Sequence, residues 1–321
     1  MTLINIQLGH IARHTPKGAG AQGREAAVID VAQDLLLQRL HEMAVLDSVA
    51  IKGGTAIRKL YAGKEGRFSL DLDFSAASLD SDHEKIALAF VTATDGLTIG
   101  PFTYGMTERR GKWSVTISSR FTPDPTLSMK LDFSLAPWLD PVTKEWIPML
   151  IHNQYGAPLP RINAVSLEEN IAEKIARLNR TTMARDMYDL AWIAKTPTIF
   201  RTLDTTLIRR LAVLKIWVDT NGIHTGTMSW NPGHEGSVFD TMHWLRERDK
   251  SEFDLEDIGA LAVPMPTVKD LSCVVRTSFA FLDELDEEER MLAQSDERDR
   301  SLAIRLLKNL PGNRLKDIGL Y

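Results

Sequence analysis

The feature that most constrains the fold is the segment from Ser69 to Phe74, in which polar and apolar residues alternate strictly. Alternation with a period of two is typical of a strand with one buried face. On such a strand Ser69, Asp71 and Asp73 share one face. Two carboxylates on one face repel each other unless a cation neutralises them, and oxygen ligands of this kind suit Mg²⁺ or Mn²⁺. The strand alone leaves a second interpretation open, a polar edge that faces solvent.

A glycine turn precedes this strand in the sequence. The run from Val49 to Ile51 is short and apolar, which predicts a buried strand, and Gly53 and Gly54 follow it. Glycines let the backbone turn sharply and approach a ligand closely. Thr55 is predicted to cap a helix that begins directly after the turn, because the apolar residues that follow have helical spacing.

The glycine turn and the Asp-x-Asp strand together predict a site for metal-assisted phosphoryl or nucleotidyl transfer. Backbone N–H groups at a glycine turn before a helix suit a phosphate. Lys52 and Arg58 are expected to add positive charge beside it. A glycine pair alone is weak evidence, whereas a glycine turn followed by Asp-x-Asp is more specific.

A third carboxylate is expected from a second strand. Residues 127–135 alternate cleanly, with Lys130 and Asp132 on the polar face. If this strand lies beside the Asp-x-Asp strand, Asp132 would complete a set of three metal ligands. The alternative is that Asp132 forms an ion pair with a basic neighbour such as Lys130 or Arg120.

Two helices with charged residues are predicted further along the chain. Residues 166–169 have the pattern of a capping box, so the first helix is predicted to begin at Ser166 and to carry Lys174. The second helix carries Asp186 and Asp189. Taken by themselves, these residues are typical of a solvated helix surface with charge pairs at i,i+4 spacing.

Several of these segments, taken as a set, resemble one known family. Lys52-Gly53-Gly54-Thr55-Ala56-Ile57 and Arg67-Phe68-Ser69-Leu70-Asp71-Leu72-Asp73-Phe74 closely resemble motifs of the AbiEii/AbiGii (MenT-type) toxins. These toxins are nucleotidyltransferases of the DNA polymerase β-like superfamily. The EK-x-x-R-L segment around Lys174 and the RD-x-Y-D segment around Asp186 are similar to two further motifs of the family. The resemblance covers roughly residues 24–195.

The resemblance implies an α/β (α+β) fold with two lobes. Residues 1–165 would form a nucleotidyltransferase lobe with a mixed sheet, and residues 166–321 a mainly helical lobe that completes an active-site cleft. Mg²⁺ or Mn²⁺ would be the cofactor and an NTP the substrate. The site residues that it implies are the catalytic metal ligands Asp71, Asp73 and Asp132, the nucleotide-binding residues Lys52, Gly53, Gly54, Thr55, Ser69 and Lys174, and catalytic Lys174 and Asp186, with Asp189 as the other candidate for that aspartate.

The resemblance also implies a biological role. Such a protein would be the toxin of a toxin–antitoxin (abortive infection) system that acts in phage defence. It would transfer a nucleotide from an NTP to RNA, at the 3′ acceptor end of tRNA, and so block translation. A cognate antitoxin would be its partner, and Ser69 a site of regulatory phosphorylation. The alternatives are a nucleotidyltransferase that modifies a protein or a small molecule, and a non-catalytic module that binds RNA or a partner.

The composition restricts the classes of protein to which the chain can belong. The chain has 321 residues, of which 44% are hydrophobic and 25% charged, as in soluble globular proteins of one or two domains. Its apolar runs are shorter than the roughly 20 residues that cross a membrane. The chain has one cysteine, Cys273, which therefore has no partner for an intramolecular disulfide and is predicted to be buried. We therefore expect a cytoplasmic protein without a membrane partner. A net charge of −5 argues against a broadly basic surface but permits a local basic patch.

The remaining patterns predict the surrounding elements. Apolar residues at helical spacing predict helices, and alternation bounded by turn residues predicts strands. From residue 202 onward the pattern is mostly helical, apart from a glycine- and histidine-containing loop at residues 220–236. Elsewhere we predict helices at residues 24–46 and 83–94, a hairpin around Arg110-Gly111, strands at residues 146–151 and 159–165, and irregular structure at residues 1–22.

Overall fold

The computed structural model describes residues 3–78, 81–122, 126–181, 183–220, 254–295 and 300–314. These residues form an eight-stranded mixed sheet and a larger set of helices, so the predicted α/β fold class is confirmed. The loop predicted at residues 220–236 lies outside the described residues beyond Thr220.

The sheet combines antiparallel and parallel pairs. Its strands are β1 Val49–Lys52, β2 Leu72–Ala76, β3 Thr98–Ile99, β4 Phe102–Arg109, β5 Lys112–Ser119, β6 Thr126–Ser134, β7 Val142–Lys144 and β8 Ile162–Ala164. Their order across the sheet is β3-β4-β5-β6-β2-β1-β8-β7. Strand β2 pairs with β6 in parallel, as β1 does with β8, and the other neighbours are antiparallel.

Helices are interspersed with the strands in the first half of the chain and are the main elements of its second half. The α-helices are α1 Leu8–His14, α2 Gly20–Glu42, α3 Gly53–Ile57, α4 His83–Thr94, α5 Leu167–Arg180, α6 Ala184–Ala194, α7 Pro197–Phe200, α8 Thr205–Thr220, α9 Val268–Ser278, α10 Glu287–Ala293 and α11 Arg300–Lys308. A π-helical turn, Arg58–Ala62, continues α3. Short 3₁₀ turns occupy Val45–Ser48, Gly63–Glu65, Leu150–Gln154, Leu255–Ile258 and Ala280–Asp283.

The chain divides into two compact units. The first comprises Met1–Pro137, Pro141–Val165 and Gly259–Pro264 and contains the whole sheet. The second comprises Trp138–Asp140, Ser166–Ile258 and Met265–Tyr321, and the described part of it is helical. This division differs from the predicted lobes at 1–165 and 166–321 in two short segments. Trp138–Asp140 belongs to the second unit, and Gly259–Pro264 belongs to the first.

The core of the first unit lies between one face of the sheet and helices α2 and α4. Phe74 of β2 and Phe133 of β6 are in register and contact Phe90 of α4, with ring centroids 5.1 and 4.9 Å apart. The hydroxyl of Tyr104 on β4 donates a hydrogen bond of 2.8 Å to the carbonyl of Ala32 in α2. Because alternate strand residues point to opposite faces, this packing turns the polar residues between them to the other face of the sheet.

The hairpin of β4 and β5 forms where the sequence predicts it. Its two loop residues, Arg110 and Gly111, both have positive φ angles, 55° and 74°. Two such residues in a two-residue loop match the right-handed twist of the paired strands. The predicted helix at residues 83–94 and the predicted strands at 127–135 and 159–165 are also present, with ends shifted by three residues or fewer.

Three local predictions were wrong. Residues 146–151 do not form a strand, because the Ile147 N–H donates to the carbonyl of Lys59 (2.9 Å) and Pro148 has no N–H to pair. Residues 1–22 are not wholly irregular, since they contain α1 and the start of α2. Cys273 is exposed, since the buried face of α9 is formed by Leu271 and Val275, four residues apart, and position 273 lies between them on the opposite side.

In the second unit a buried glutamate connects three segments. Ser166 caps α5 as predicted, with its hydroxyl 3.2 Å from the Glu169 N–H. The Glu169 carboxylate accepts hydrogen bonds from the backbone N–H groups of Trp138 and Leu139, at 2.8 and 2.9 Å, and from Nζ of Lys215, at 2.9 Å. Burial alone would lower the pKa of Lys215, but the negative charges of Glu169 and Glu173 raise it.

Candidate active site

The first glycine of the turn faces a carboxylate. Strand β1 ends at Lys52 and α3 begins at Gly53, whose φ angle is +72°. This left-handed conformation favours glycine. A Cβ atom at Gly53 would also overlap the carboxylate of Asp73, so the Asp73 side chain lies directly against the backbone of the turn.

The second glycine faces an arginine. A Cβ atom at Gly54 would lie 2.9 Å from Cζ of Arg67 and 3.2 Å from Oγ of Ser69. Both side chains are largely buried, with 7% and 6% exposed. The turn is thus flanked by a guanidinium and a hydroxyl that converge on one backbone position. Arg67 is a site residue that the sequence patterns alone do not identify, although its position two residues before Ser69 is an available signal.

The role of Thr55 and the first residue of strand β2 both differ from what the sequence predicts. Lys52 occupies the N-cap position of α3, and Thr55 lies inside the helix with its side chain fully buried. The Thr55 hydroxyl donates to the carbonyl of Asp71 (2.5 Å), and Gln33 donates to the carbonyl of Ser69 (3.1 Å). Because side chains bind these carbonyls, β2 begins only at Leu72, and Ser69 and Asp71 lie in the segment just before it.

A row of charged residues crosses the sheet at this turn. In the parallel pair β2–β6, Asp73 is in register with Asp132, which confirms that the two predicted strands are neighbours. In the antiparallel pair β1–β2, Lys52 is in register with Asp73 on its other side. Residues in register on adjacent strands point to the same face. Lys52, Asp73 and Asp132 therefore form one row, in which Asp132 is exposed and the other two are half-buried.

This row offers donors of the kind that a divalent cation requires. Among the described residues, no three histidine, cysteine, aspartate or glutamate side chains converge closely enough to enclose a metal ion. Asp73 and Asp132 are nevertheless adjacent, and Asp71 precedes Asp73 by two residues. Carboxylate oxygens that share one face suit a hard cation such as Mg²⁺ or Mn²⁺. The donor chemistry and the strand register therefore fit the predicted metal ligands.

A buried ion network connects the π-helical turn that follows α3 to helix α2. Arg58 binds Asp30 of α2 through two nitrogens, at 2.8 and 2.9 Å, and Nζ of Lys59 lies 3.1 Å from the same carboxylate. Lys59 also pairs with Asp34, one turn further along α2, whose carboxylate accepts the hydroxyl of Tyr155 at 2.7 Å. These four charged side chains are at most 1% exposed. Arg58 is therefore committed to this network and does not supply the charge beside the glycine turn that its position in the sequence predicts.

Arg58 also holds the loop that carries Arg67 and Ser69. Its remaining terminal nitrogen donates to the carbonyls of Gly63 and Gly66, at 3.2 and 2.7 Å. Its guanidinium lies 3.7 Å from the ring centroid of Phe68, a cation–π contact. One buried side chain thus links α2 to Gly66 and Phe68, the two neighbours of Arg67 in the sequence.

A second charged cluster, centred on Lys174, lies in the helical unit. Nζ of Lys174 on α5 is 2.8 Å from Asp186 and 2.8 Å from Asp189, both on α6. Nε of Arg177 lies 3.0 Å from the other oxygen of Asp186. Lys174 and Asp186 are each 1% exposed, so the interpretation of these helices as solvated surfaces is wrong for these residues. Burial alone would raise the pKa of Asp186, but the charges of Lys174 and Arg177 hold it below its ordinary value.

Comparison with known proteins identifies the family. Residues 35–269 match the family model described as nucleotidyl transferase AbiEii toxin of type IV toxin–antitoxin systems. The chain belongs to this AbiEii family. Among solved structures it is similar to MenT4, a nucleotidyltransferase toxin from Mycobacterium tuberculosis H37Rv, with 34% sequence identity and a TM-score of 0.79 over 95% of this chain and 99% of that one. No curated protein sequence matches the chain.

Membership of the AbiEii family confirms part of what the sequence predicts. The protein is a nucleotidyltransferase toxin of a type IV toxin–antitoxin system, which implies an NTP substrate and an antitoxin partner. Of the helices among the described residues, none has the length and apolar character needed to cross a bilayer.

Asp30→Asn tests whether the ion network stabilises this AbiEii-family fold. Burial alone would raise the pKa of Asp30, but Arg58 and Lys59 hold it well below its ordinary value. The carboxylate therefore stabilises the fold above its ordinary pKa of about 4, and that contribution is lost as the pH falls below it. We expect the variant to lower the free energy of unfolding by about 3–5 kcal/mol at pH 7, since it leaves buried cations underpaired.

Urea denaturation between pH 3 and pH 7 measures this effect, with the exposed Asp47→Asn as the control for loss of one carboxylate. The difference between wild type and Asp30→Asn should shrink below about pH 4, because the unfolded wild-type chain then takes up a proton at Asp30 while the folded chain keeps this carboxylate ionised. A difference that stays constant across this range, or a variant as stable as Asp47→Asn at pH 7, would show that the ionised Asp30 carboxylate does not stabilise the fold.

Proposed function

We propose that this toxin transfers a nucleotide from an NTP to RNA, at the 3′ acceptor end of tRNA, and thereby blocks translation as part of phage defence. The observation that carries the proposal is the register of Asp73 with Asp132 beside a glycine turn that touches Asp73. Membership of the AbiEii family supports the transfer chemistry. The RNA acceptor rests on the family resemblance in the sequence.

Asp71, Asp73 and Asp132 are the residues that we propose to hold Mg²⁺ or Mn²⁺. A bound divalent cation would neutralise phosphate charge and lower the pKa of the attacking hydroxyl. Thr55 acts on this set indirectly, since its buried hydroxyl fixes the carbonyl of Asp71. We therefore propose that Thr55 positions Asp71, in place of the direct nucleotide contact that the sequence predicts.

The triphosphate is proposed to bind at the glycine turn. The backbone of Gly53 and Gly54 comes close to the side chains of Asp73, Arg67 and Ser69, since a Cβ atom at either glycine would collide with them. Arg67 adds a guanidinium, which binds phosphate oxygens in pairs, at the point where Ser69 presents its hydroxyl. Lys52, in register with Asp73, contributes a further positive charge. Phosphorylation of Ser69 by an antitoxin, which the resemblance implies, would add negative charge at this same position and stays a prediction.

Lys174 and Asp186 remain the proposed catalytic residues of the helical unit. The two carboxylates at 2.8 Å from Nζ fix the position of the Lys174 side chain. Asp189 makes the same contact as Asp186, so we propose that the two aspartates position Lys174 together. In this role Lys174 would act as a charged donor to the nucleotide.

Asp132→Asn tests the metal-ligand role with little risk to folding, because Asp132 is exposed. The wild type and the variant are each incubated with Mg²⁺, one α-labelled NTP at a time and total tRNA. We expect label in tRNA with the wild type and a loss of about 100-fold or more with the variant, since a lost metal contact removes several kcal/mol of transition-state stabilisation.

Asp47→Asn is the control for this assay and should label tRNA as the wild type does. Equal labelling by Asp132→Asn would contradict the role of that carboxylate. Parallel reactions contain a protein pool or a small-molecule pool in place of tRNA. Label in one of these pools, with none in RNA, would support the alternative acceptors and overturn the tRNA assignment.

Arg67→Gln tests the proposed phosphate contact. We expect the KM for the NTP to rise about tenfold or more, because one charge-assisted contact to the triphosphate is removed, and Arg67→Lys to recover part of this loss. Steady-state kinetics at saturating tRNA give the values, and the exposed Arg120→Gln in the same unit is the charge-matched control. An Arg67→Gln variant with unchanged KM and reduced thermal stability would show that Arg67 is structural only.

A further inference from the structure

One face of strands β4, β5 and β6 is polar and accessible. Buried residues such as Val115 and Met129, which are in register, point to the helix-covered face. The residues between them point the other way, and among these Ser118, Thr126 and Ser128 are exposed. Hydroxyl side chains of this kind form hydrogen bonds with phosphate and sugar oxygens and do not favour an apolar partner.

Positive charge is concentrated on this same face. Arg109 and Lys112 are in register across the hairpin, and Lys130 is in register with Ser114 of β5. The three cations are exposed. Of the side chains described on this face of the three strands, Asp132 alone is acidic. In a chain with a net charge of −5, this local excess of positive charge is complementary to a polyanion.

The face leads directly to the proposed metal ligands. Trp113 of β5 is in register with Leu131 of β6, so one residue further along the same register Lys112 lies across from Asp132. Asp132 in turn is in register with Asp73. An extended polyanion that follows the cations across the sheet therefore reaches the row of Lys52, Asp73 and Asp132, and Gly53 of the glycine turn directly follows Lys52.

We propose that this polar face of β4, β5 and β6 binds the sugar–phosphate backbone of the acceptor RNA, so that the 3′ end of the RNA lies at Asp132 and Asp73. The inference rests on the proposed function and adds the surface that holds the acceptor. None of the side chains described on this face of the three strands is aromatic, so bases have no ring to stack on. The contact is therefore to phosphates and sugars and is independent of base sequence.

The test compares RNA affinity in the Arg109→Gln/Lys112→Gln double variant and in Lys130→Gln. The probes are a fluorescently labelled single-stranded RNA and total tRNA, titrated by anisotropy at several salt concentrations. Lys85→Gln on α4 is the control, because it removes the same charge from a side chain that is 83% exposed. Binding of the NTP to each protein is measured separately.

We expect each test variant to weaken RNA binding several-fold and to reduce the slope of log K against log salt by about 0.7 per contact removed, without a change in NTP binding. Lys85→Gln should match the wild type. RNA binding that is equal in the wild type and both test variants would overturn the docking surface.

These titrations, combined with the tRNA-labelling assay applied to the same variants, separate this inference from the proposed function. A wild type that labels tRNA while the test variants bind and label it equally well overturns the docking surface alone. A wild type that binds NTP but neither binds nor labels RNA overturns both the docking surface and the RNA acceptor.

Discussion

The buried ion pair between Asp30 and Arg58 is the interaction on which the candidate active site depends. Removing two charges from water is costly, and the cost is offset only where geometry is good and the remaining donors are used. Here the Arg58 guanidinium binds both oxygens of Asp30 and also donates to the carbonyls of Gly63 and Gly66. The pair therefore fixes the loop that brings Arg67 to the glycine turn.

Strand pairing supplies the second constraint. A slip of one residue between β2 and β6 would turn Asp132 to the opposite face, so the pairing of Phe74 with Phe133 in the core also fixes Asp73 beside Asp132. The apolar contacts on one face of the sheet thus determine the chemistry available on the other. Gly53 adds the last element, because only a residue without a side chain leaves room for the Asp73 carboxylate.

The parts of the fold that the sequence predicts are those with a regular pattern. The alternation in residues 127–135 identifies β6, and Arg110 and Gly111 mark a hairpin whose loop requires positive φ angles. These signals are local, because one buried face or one turn conformation determines the residue types. The same alternation identifies Asp71, Asp73 and Asp132 as candidate ligands, and the resemblance to the AbiEii family adds Lys174 and Asp186.

The parts that the sequence did not predict depend on contacts between distant segments. Asp30 and Arg58 are 28 residues apart, and nothing in the helical pattern of α2 distinguishes a buried aspartate from a solvated one. The late start of β2 has a similar cause, because Thr55 and Gln33 bind carbonyls that a strand partner would otherwise use. The contact of Arg67 with Gly54 likewise requires the folded loop.

The proposed chemistry depends on binding of a divalent cation, together with the nucleotide, by Asp73 and Asp132 of the row and by Asp71. The most direct measurement is Mn²⁺ binding by electron paramagnetic resonance, with and without an NTP, in the wild type and in Asp73→Asn. We expect the wild type to bind Mn²⁺ more tightly when NTP is present and Asp73→Asn to lose about tenfold or more of that affinity. Equal Mn²⁺ affinity in the two proteins would contradict it.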